Sequence, residues 1–388
     1  MIESDAQLSE ICGQLAVSPI LAFDTEFVGE KYYTPSLELI QLKDKSVKPP
    51  ILVDVRALED LSPLAQLFAD PKILKVAHAA SQDIPILMHY LGSKPQPLFD
   101  TQLAAAMVGM GAQISLKNLV RELTGAMLKS SQTVSDWSRR PLSPGQLQYA
   151  AEDVLYLHDL HEALCRRLDE MGRRSWFEEE QARWLESLTT AADVPDEDRY
   201  RNVREWARLS GQELAVLREL AAWRESEARA KNLPRRNVFP DEGLLALART
   251  QPRSKDRARS LRQVPQGPLN RHLDAVLKAI ARGKDTPEEQ WPQKPKRPAR
   301  ANETPAGLVE LFQALVRSVA EREAISPTLL ATTDDLTTLA AKRHETETLD
   351  LPVLKGWRYE MIGKELLQLL HGEMCLRIRQ RDHMVIEV

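Results

Sequence analysis

The sequence predicts an α/β domain followed by two all-helical modules, and three observations predict it. Short β-type runs alternate with and give way to helical patterns over the first hundred residues. Beyond residue 199 the apolar positions recur at helical spacing, as in Leu273, Val276, Leu277 and Ile280. Two polar, proline-bearing stretches, residues 189–198 and 285–300, read as linkers between the parts. A chain of 388 residues has room for two or three such domains. The division expected is an α/β domain over 1–190, a helical domain over 197–283, a Pro-rich linker over 284–302 and a second helical domain over 303–388.

The elements follow in order. Runs at 21–23, 37–42, 51–55 and 73–77 predict strands, and 61–68 and 83–90 predict helices. Ser62-Pro63 places a cap before a proline at the first helical position. Ser143-Pro144-Gly145-Gln146 has the form of a capping box, which opens a long helix running to about residue 171, with another to about 188. Leu308, Leu311, Phe312, Leu315 and Val319 trace one helix face, and Ser326-Pro327 starts a further helix. The weak alternation of 384–388 predicts a short strand.

Hydrophobic residues make up 43% and charged residues 28%, an ordinary globular composition. No apolar run approaches the roughly 20 residues that span a bilayer. The acidic start MIESDAQLSE is unlike a secretory leader. Cys12, Cys165 and Cys375 are far apart and lack metal-ligand spacing, so a reduced cytoplasmic protein is expected. The absence of a heptad seam predicts a monomer. The net charge of −4 conceals an asymmetry. Residues 1–195 carry 18 Lys and Arg against 27 Asp and Glu, and residues 196–300 carry 24 against 15. A basic middle segment suits a polyanion, and a solvated helical surface is the bland alternative.

Two acidic residues interrupt the first apolar strand, Ile20-Leu21-Ala22-Phe23-Asp24-Thr25-Glu26-Phe27. Residues i and i+2 of a strand share a face, so Asp24 and Glu26 present two carboxylates side by side. Burying a same-sign pair is costly unless something compensates it, and hard divalent cations take carboxylate oxygens. Asp83 lies just past the strand ending Val76-Ala77-His78, near a helix start. Tyr149 and Asp153 sit four residues apart on the long helix and share a face. Four converging carboxylates suit two Mg²⁺ ions about 4 Å apart, and a phenol there suits water orientation. Singly each feature is more often a salt bridge, a cap or a helix surface; it is their order and context that point to phosphoryl chemistry.

Those residues carry a resemblance. Phe23-Asp24-Thr25-Glu26-Phe27, Val76-Ala77-His78 with Asp83, and Tyr149-Ala150-Ala151-Glu152-Asp153 resemble the three motifs of DEDD exonucleases, in the tyrosine-bearing branch that includes the ribonuclease D family. Residues 33–42, Phe99-Asp100-Thr101-Gln102 and 135–142 extend the likeness over roughly residues 5–190. The resemblance implies a ribonuclease H-like mixed sheet flanked by helices. It implies Asp24, Glu26, Asp83 and Asp153 as ligands of two Mg²⁺ or Mn²⁺ ions, with Asp24 bridging both and Tyr149 as general base. Residues 199–282 resemble an HRDC domain through Leu220-Ala221-Ala222-Trp223-Arg224-Glu225 and residues 232–241, and 303–388 stand where a second HRDC-like domain is expected.

The substrate contacts expected are Thr25 through its backbone, Phe27 by stacking on a base, His78, Arg140, Arg235 and Arg236. Each has an alternative: a buried strand aromatic for Phe27, a bonded core histidine for His78, an ion pair for Arg140 and solvated surface for the other two arginines. Lys129 is balanced in the same way, and packing is the better reading of Trp137. The function implied is a metal-dependent 3′→5′ exoribonuclease that trims precursor tRNA and releases 5′-monophosphates. A DNA-directed exonuclease and a non-catalytic RNA-binding protein are the alternatives.

Overall fold

The computed structural model describes residues 1–46, 49–129, 135–192, 194–293, 305, 307–378 and 385–387. Its centre is a five-stranded mixed sheet in the order β3-β2-β1-β4-β5. The strands are β1 (Ile20–Val28), β2 (Ser36–Lys43), β3 (Ile51–Asp54), β4 (Leu74–Ala77) and β5 (Leu98–Asp100). β1, β2 and β3 run antiparallel, and β4 and β5 join β1 in parallel. β5 is too short to stand out in the sequence.

Alternation along β1 divides its side chains between two cores. Leu21 and Phe23 pack with Leu8, Leu64, Phe68, Ile84 and Leu87 of α1 (Asp5–Leu15), α2 (Ser62–Ala69) and α3 (Asp83–Leu91). Ala22 faces the opposite layer, formed by α4 (Thr101–Met107), α5 (Leu116–Thr124), α6 (Pro144–Leu155) and α7 (Leu157–Glu170). Asp24 and Glu26 lie on that second face.

The long helix expected from Ser143 is two helices. α6 starts at the capping box of Ser143 and Gln146 and ends at Leu155; α7 restarts after Tyr156. α6 packs on β1, β2 and β3, whereas α7 packs on β1 and β4. A sheet twists from strand to strand, so one straight rod does not follow both pairs.

The first expected linker is mostly structured. α8 (Arg174–Ala192) runs through its opening residues, and Asp196–Asn202 forms a 3₁₀ turn. The helical domain that follows comprises α9 (Gly211–Ala230), α10 (Arg235–Val238), α11 (Asp241–Thr250), α12 (Lys255–Arg259) and α13 (Gln266–Asp285). The second expected linker also begins in ordered structure: Trp291 donates its indole N–H to the Thr286 carbonyl at 2.9 Å. Residues 294–300 of that linker lie outside the described residues.

The C-terminal part contains α14 (Leu308–Arg322), α15 (Pro327–Leu330), α16 (Thr333–Ala341), α17 (Gly356–Arg358) and α18 (Lys364–His371). It ends in a hairpin of β6 (Leu376–Ile378) and β7 (Val385–Glu387). The strand expected at 384–388 thus exists over 385–387, and its end residues lie outside the described ones. Phe312, Leu315, Val319 and Trp357 share one apolar core with Leu157, Leu160 and Leu164 of α7.

Candidate active site

Asp24 and Glu26 on β1 and Asp153 on α6 each offer an oxygen within 4.8 Å of the others. The capping box fixes the first turn of α6, which carries Tyr149 and, one turn later, Asp153. Tyr149 hydrogen-bonds the Asp153 carboxyl and lies beside the buried Trp137, with ring centroids 6.2 Å apart. Asp83 opens α3 and approaches from the other face of β1, where it accepts a hydrogen bond from the Thr25 hydroxyl. The structure therefore gathers three of the four expected carboxylates tightly and ties the fourth to Thr25. Thr25 faces away from its acidic neighbours as β alternation requires, but its side chain, not only its backbone, takes part.

Burial and mutual repulsion shape the electrostatics. Burial pushes the Asp24 carboxyl well above the usual range, and the carboxylates of Asp83, Asp153 and Glu26 push it further. Glu26 is raised to about 9 by burial and then by Asp153 and Asp83. Burial raises Asp153 to about 7, with Glu152 adding to it and the Tyr149 bond opposing it. Asp83 is raised to about 6, burial outweighing the Thr25 bond. Asp153 Oδ2 is buried with no hydrogen-bond partner among the described residues. An all-oxygen, acidic donor set with an orphaned oxygen fits a hard divalent cation.

The remaining expected residues divide by environment. His78 is held on both ring nitrogens, with Nδ1 2.9 Å from Thr101 Oγ1 and Nε2 3.1 Å from the Ile114 carbonyl. A carbonyl only accepts, so Nε2 carries the proton, and burial lowers the pKa and keeps the ring neutral. Phe27 is half-buried against the core on the α1–α3 face. Arg140 is committed to Asp54, with Nη2 2.7 Å from Oδ1 and Nε bonded to Oδ2, and it also donates to the carbonyls of Trp137 and Glu38. Arg235 grips the buried Glu225 at 2.5 and 2.7 Å and lies over the Tyr33 ring. Arg236 is exposed on a pocket of about 370 Å³ lined also by Arg199 and Arg224. Lys129 donates its backbone N–H to Glu152.

Sequence reasoning passed over Asp100. Its buried carboxylate accepts four backbone N–H bonds, from Ala79, Ala80, Gln102 and Leu103. It thereby braces the turn that leads from β4 to Asp83, including Ala79 at φ +57°. Phe99-Asp100-Thr101-Gln102 carried the signal as a motif, but the backbone it serves lies 20 residues away.

Residues 1–169 match the 3′-5′ exonuclease family and residues 213–280 match the HRDC domain. Fold and site together define the class: a 3′→5′ exonuclease that uses divalent metal, joined to an HRDC domain. Relatives matching the full length narrow it. Ribonuclease D of Granulibacter bethesdensis is 37% identical over 97% of this chain and 94% of its own. Ribonuclease D of Pseudomonas paraeruginosa is 35% identical over 96% and 97%. The crystal structure of Escherichia coli RNase D, an exoribonuclease involved in structured RNA processing, superposes with a TM-score of 0.83 at 30% identity, covering 96% of this chain and 98% of that one. The catalytic core of RRP6 from Trypanosoma brucei shares the fold at 22% identity and a TM-score of 0.56 over 73% of this chain and 78% of that one. The chain belongs to the ribonuclease D family and is a 3′→5′ exoribonuclease.

Proposed function

We propose that the protein trims the 3′ ends of precursor tRNA, with Asp24, Glu26, Asp83 and Asp153 holding two Mg²⁺ or Mn²⁺ ions. The convergence of three half-buried carboxylates, with the Asp153 Oδ2 atom unpartnered among the described residues, carries this reading. Ions held by these residues would neutralise the carboxylates, lower the pKa of a water and stabilise the leaving oxygen. Tyr149, one turn from Asp153, orients the attacking water through its hydroxyl as that water loses a proton to solvent, and the leaving 3′ oxygen takes up one proton in return. Water adds to the phosphorus of the last nucleotide in line. The bond from phosphorus to the penultimate 3′ oxygen breaks, and a nucleoside 5′-monophosphate leaves behind a new 3′ hydroxyl.

Thr25 holds Asp83 ready for the ligand set, and Phe27 and Arg236 are the expected substrate contacts that the fold leaves most available. The polar groups of His78 and Arg140 and two of the nitrogens of Arg235 are engaged within the protein, which favours a structural role for these three. The names of the relatives favour RNA over DNA. No helix among the described residues is long and apolar enough to cross a membrane; the cytoplasmic compartment and monomeric state read from the sequence stay part of the proposal. The test is a length-resolved digest of a 3′-extended precursor tRNA beside a matched DNA strand. Trimming of the RNA to a discrete mature length supports the reading, and shortening of the DNA alone overturns it.

A further inference from the structure

Beneath the carboxylate cluster lies an amide that nothing satisfies. Gln41 on β2 stands directly opposite Asp24 on β1, so both side chains share the face that α6 covers. Opposed residues in such a pair have Cβ atoms about 4.5–5.5 Å apart. Gln41 is completely buried, and neither its amide nitrogen nor its amide oxygen has a partner among the described residues. Its surroundings are apolar: Leu52 opposite on β3, Leu39 two residues before, and Ala150 of α6. Lys43, two residues further on, turns its ammonium to the Asp44 carbonyl at 2.8 Å. A buried amide without a partner carries a desolvation cost that an apolar side chain of the same size avoids.

We propose that Gln41 is a positioning residue for the metal-holding carboxylates, its unpartnered amide N–H turning to donate to Asp24 when a cation is held and so fixing which oxygen faces the ion. The assignment rests on the reading of the cluster as the metal site. An amide suits the task because it donates without bringing a charge; a lysine or arginine there would neutralise the ligand and compete with the cation. Outer partners of this kind orient ligands and are worth about 10–100-fold in metal affinity.

The test is Mn²⁺ binding, followed by the electron paramagnetic resonance of the free ion, in the wild type, Gln41→Met and Gln41→Leu, with thermal melting of each metal-free protein. The expected result is a dissociation constant weakened about 10–100-fold, while the metal-free melting temperature of Gln41→Met does not fall. A folded Gln41→Met protein with wild-type Mn²⁺ affinity overturns the proposal and leaves Gln41 a packing residue. A wild type that binds no Mn²⁺ overturns the metal-site reading itself. If both variants unfold, the side-chain amide resonance of Gln41 in the ¹⁵N-labelled wild type decides: movement on Mg²⁺ addition supports the assignment, and an unmoved resonance overturns it.

Discussion

Glu26, Asp153 and Asp83, raised to about 9, 7 and 6, keep their protons far above the pH at which unfolded carboxyls near pKa 4 lose them. The folded state then binds more protons than the unfolded state across this window, so rising pH destabilises it. The metal-free protein is expected to lose melting temperature from about pH 5 to 9, and saturating Mg²⁺ should flatten the decline because metal displaces those protons. Calorimetry at several pH values with and without metal checks this; a metal-free melting temperature that rises over the window would contradict it. Tyr149→Phe keeps the ring beside Trp137 and removes only the hydroxyl, so kcat should fall about 10²–10⁴-fold with folding intact. At this scale the sequence was informative where spacing is local. Asp24 with Glu26 and Tyr149 with Asp153 are set by strand and helix periodicity. The Arg140–Asp54 pair and the place of Gln41 opposite Asp24 depend on segments far apart in the chain coming together, and no local pattern reports them.

Elements decide where those side chains point. The pairing of β1 with β2 slips between Glu26 and Phe27: Glu26 faces Leu39 and Phe27 faces Leu37, so Glu38 is the extra residue of a bulge. The bulge sends Leu37 and Leu39 into different cores, one with Phe23 and the other with Ala150. A run of apolar letters at 37–42 shows the strand but not this slip. α6 was readable from its cap, whereas its separation from α7 follows from sheet twist, which leaves no residue signature. Ser143→Ala removes the cap that fixes the start of α6 and should cost about 1 kcal/mol by urea denaturation. Activity should drop with it, because the same turn orients Tyr149. The stretch 189–198 looked like a linker for its small and acidic residues, yet α8 runs through its first part.

At the scale of the molecule, the helical parts are fastened to the catalytic domain by polar contacts, exposed on the HRDC side and largely buried on the C-terminal side, beside the apolar core shared with α7. The Tyr33 hydroxyl, just beyond β1, donates to Glu225 of α9, and Asn232 accepts the backbone N–H groups of Tyr33 and Thr34 at 3.2 and 3.1 Å. On the other side Arg358 donates to Glu180 of α8 at 2.5 Å, with both side chains at least nine-tenths buried. Arg173 bonds the carbonyls of Met107, Glu323 and Ala324. The joints that cross between parts link positions 150–199 residues apart, and no sequence pattern shows how the parts attach. Arg358→Leu removes the buried partner of Glu180 and leaves that carboxylate to the more exposed Arg183, so it should destabilise the protein by about 1.5–3 kcal/mol, read as a lower denaturation midpoint.

The catalytic claim is tested most directly by incubating a 5′-labelled RNA with the wild type and with Asp24→Asn, in Mg²⁺, in Mn²⁺ and in chelator. The carboxylate site predicts stepwise shortening from the 3′ end and release of 5′-monophosphates in either metal, none in chelator and none with Asp24→Asn. Undiminished shortening by Asp24→Asn, or in the presence of chelator, would contradict it.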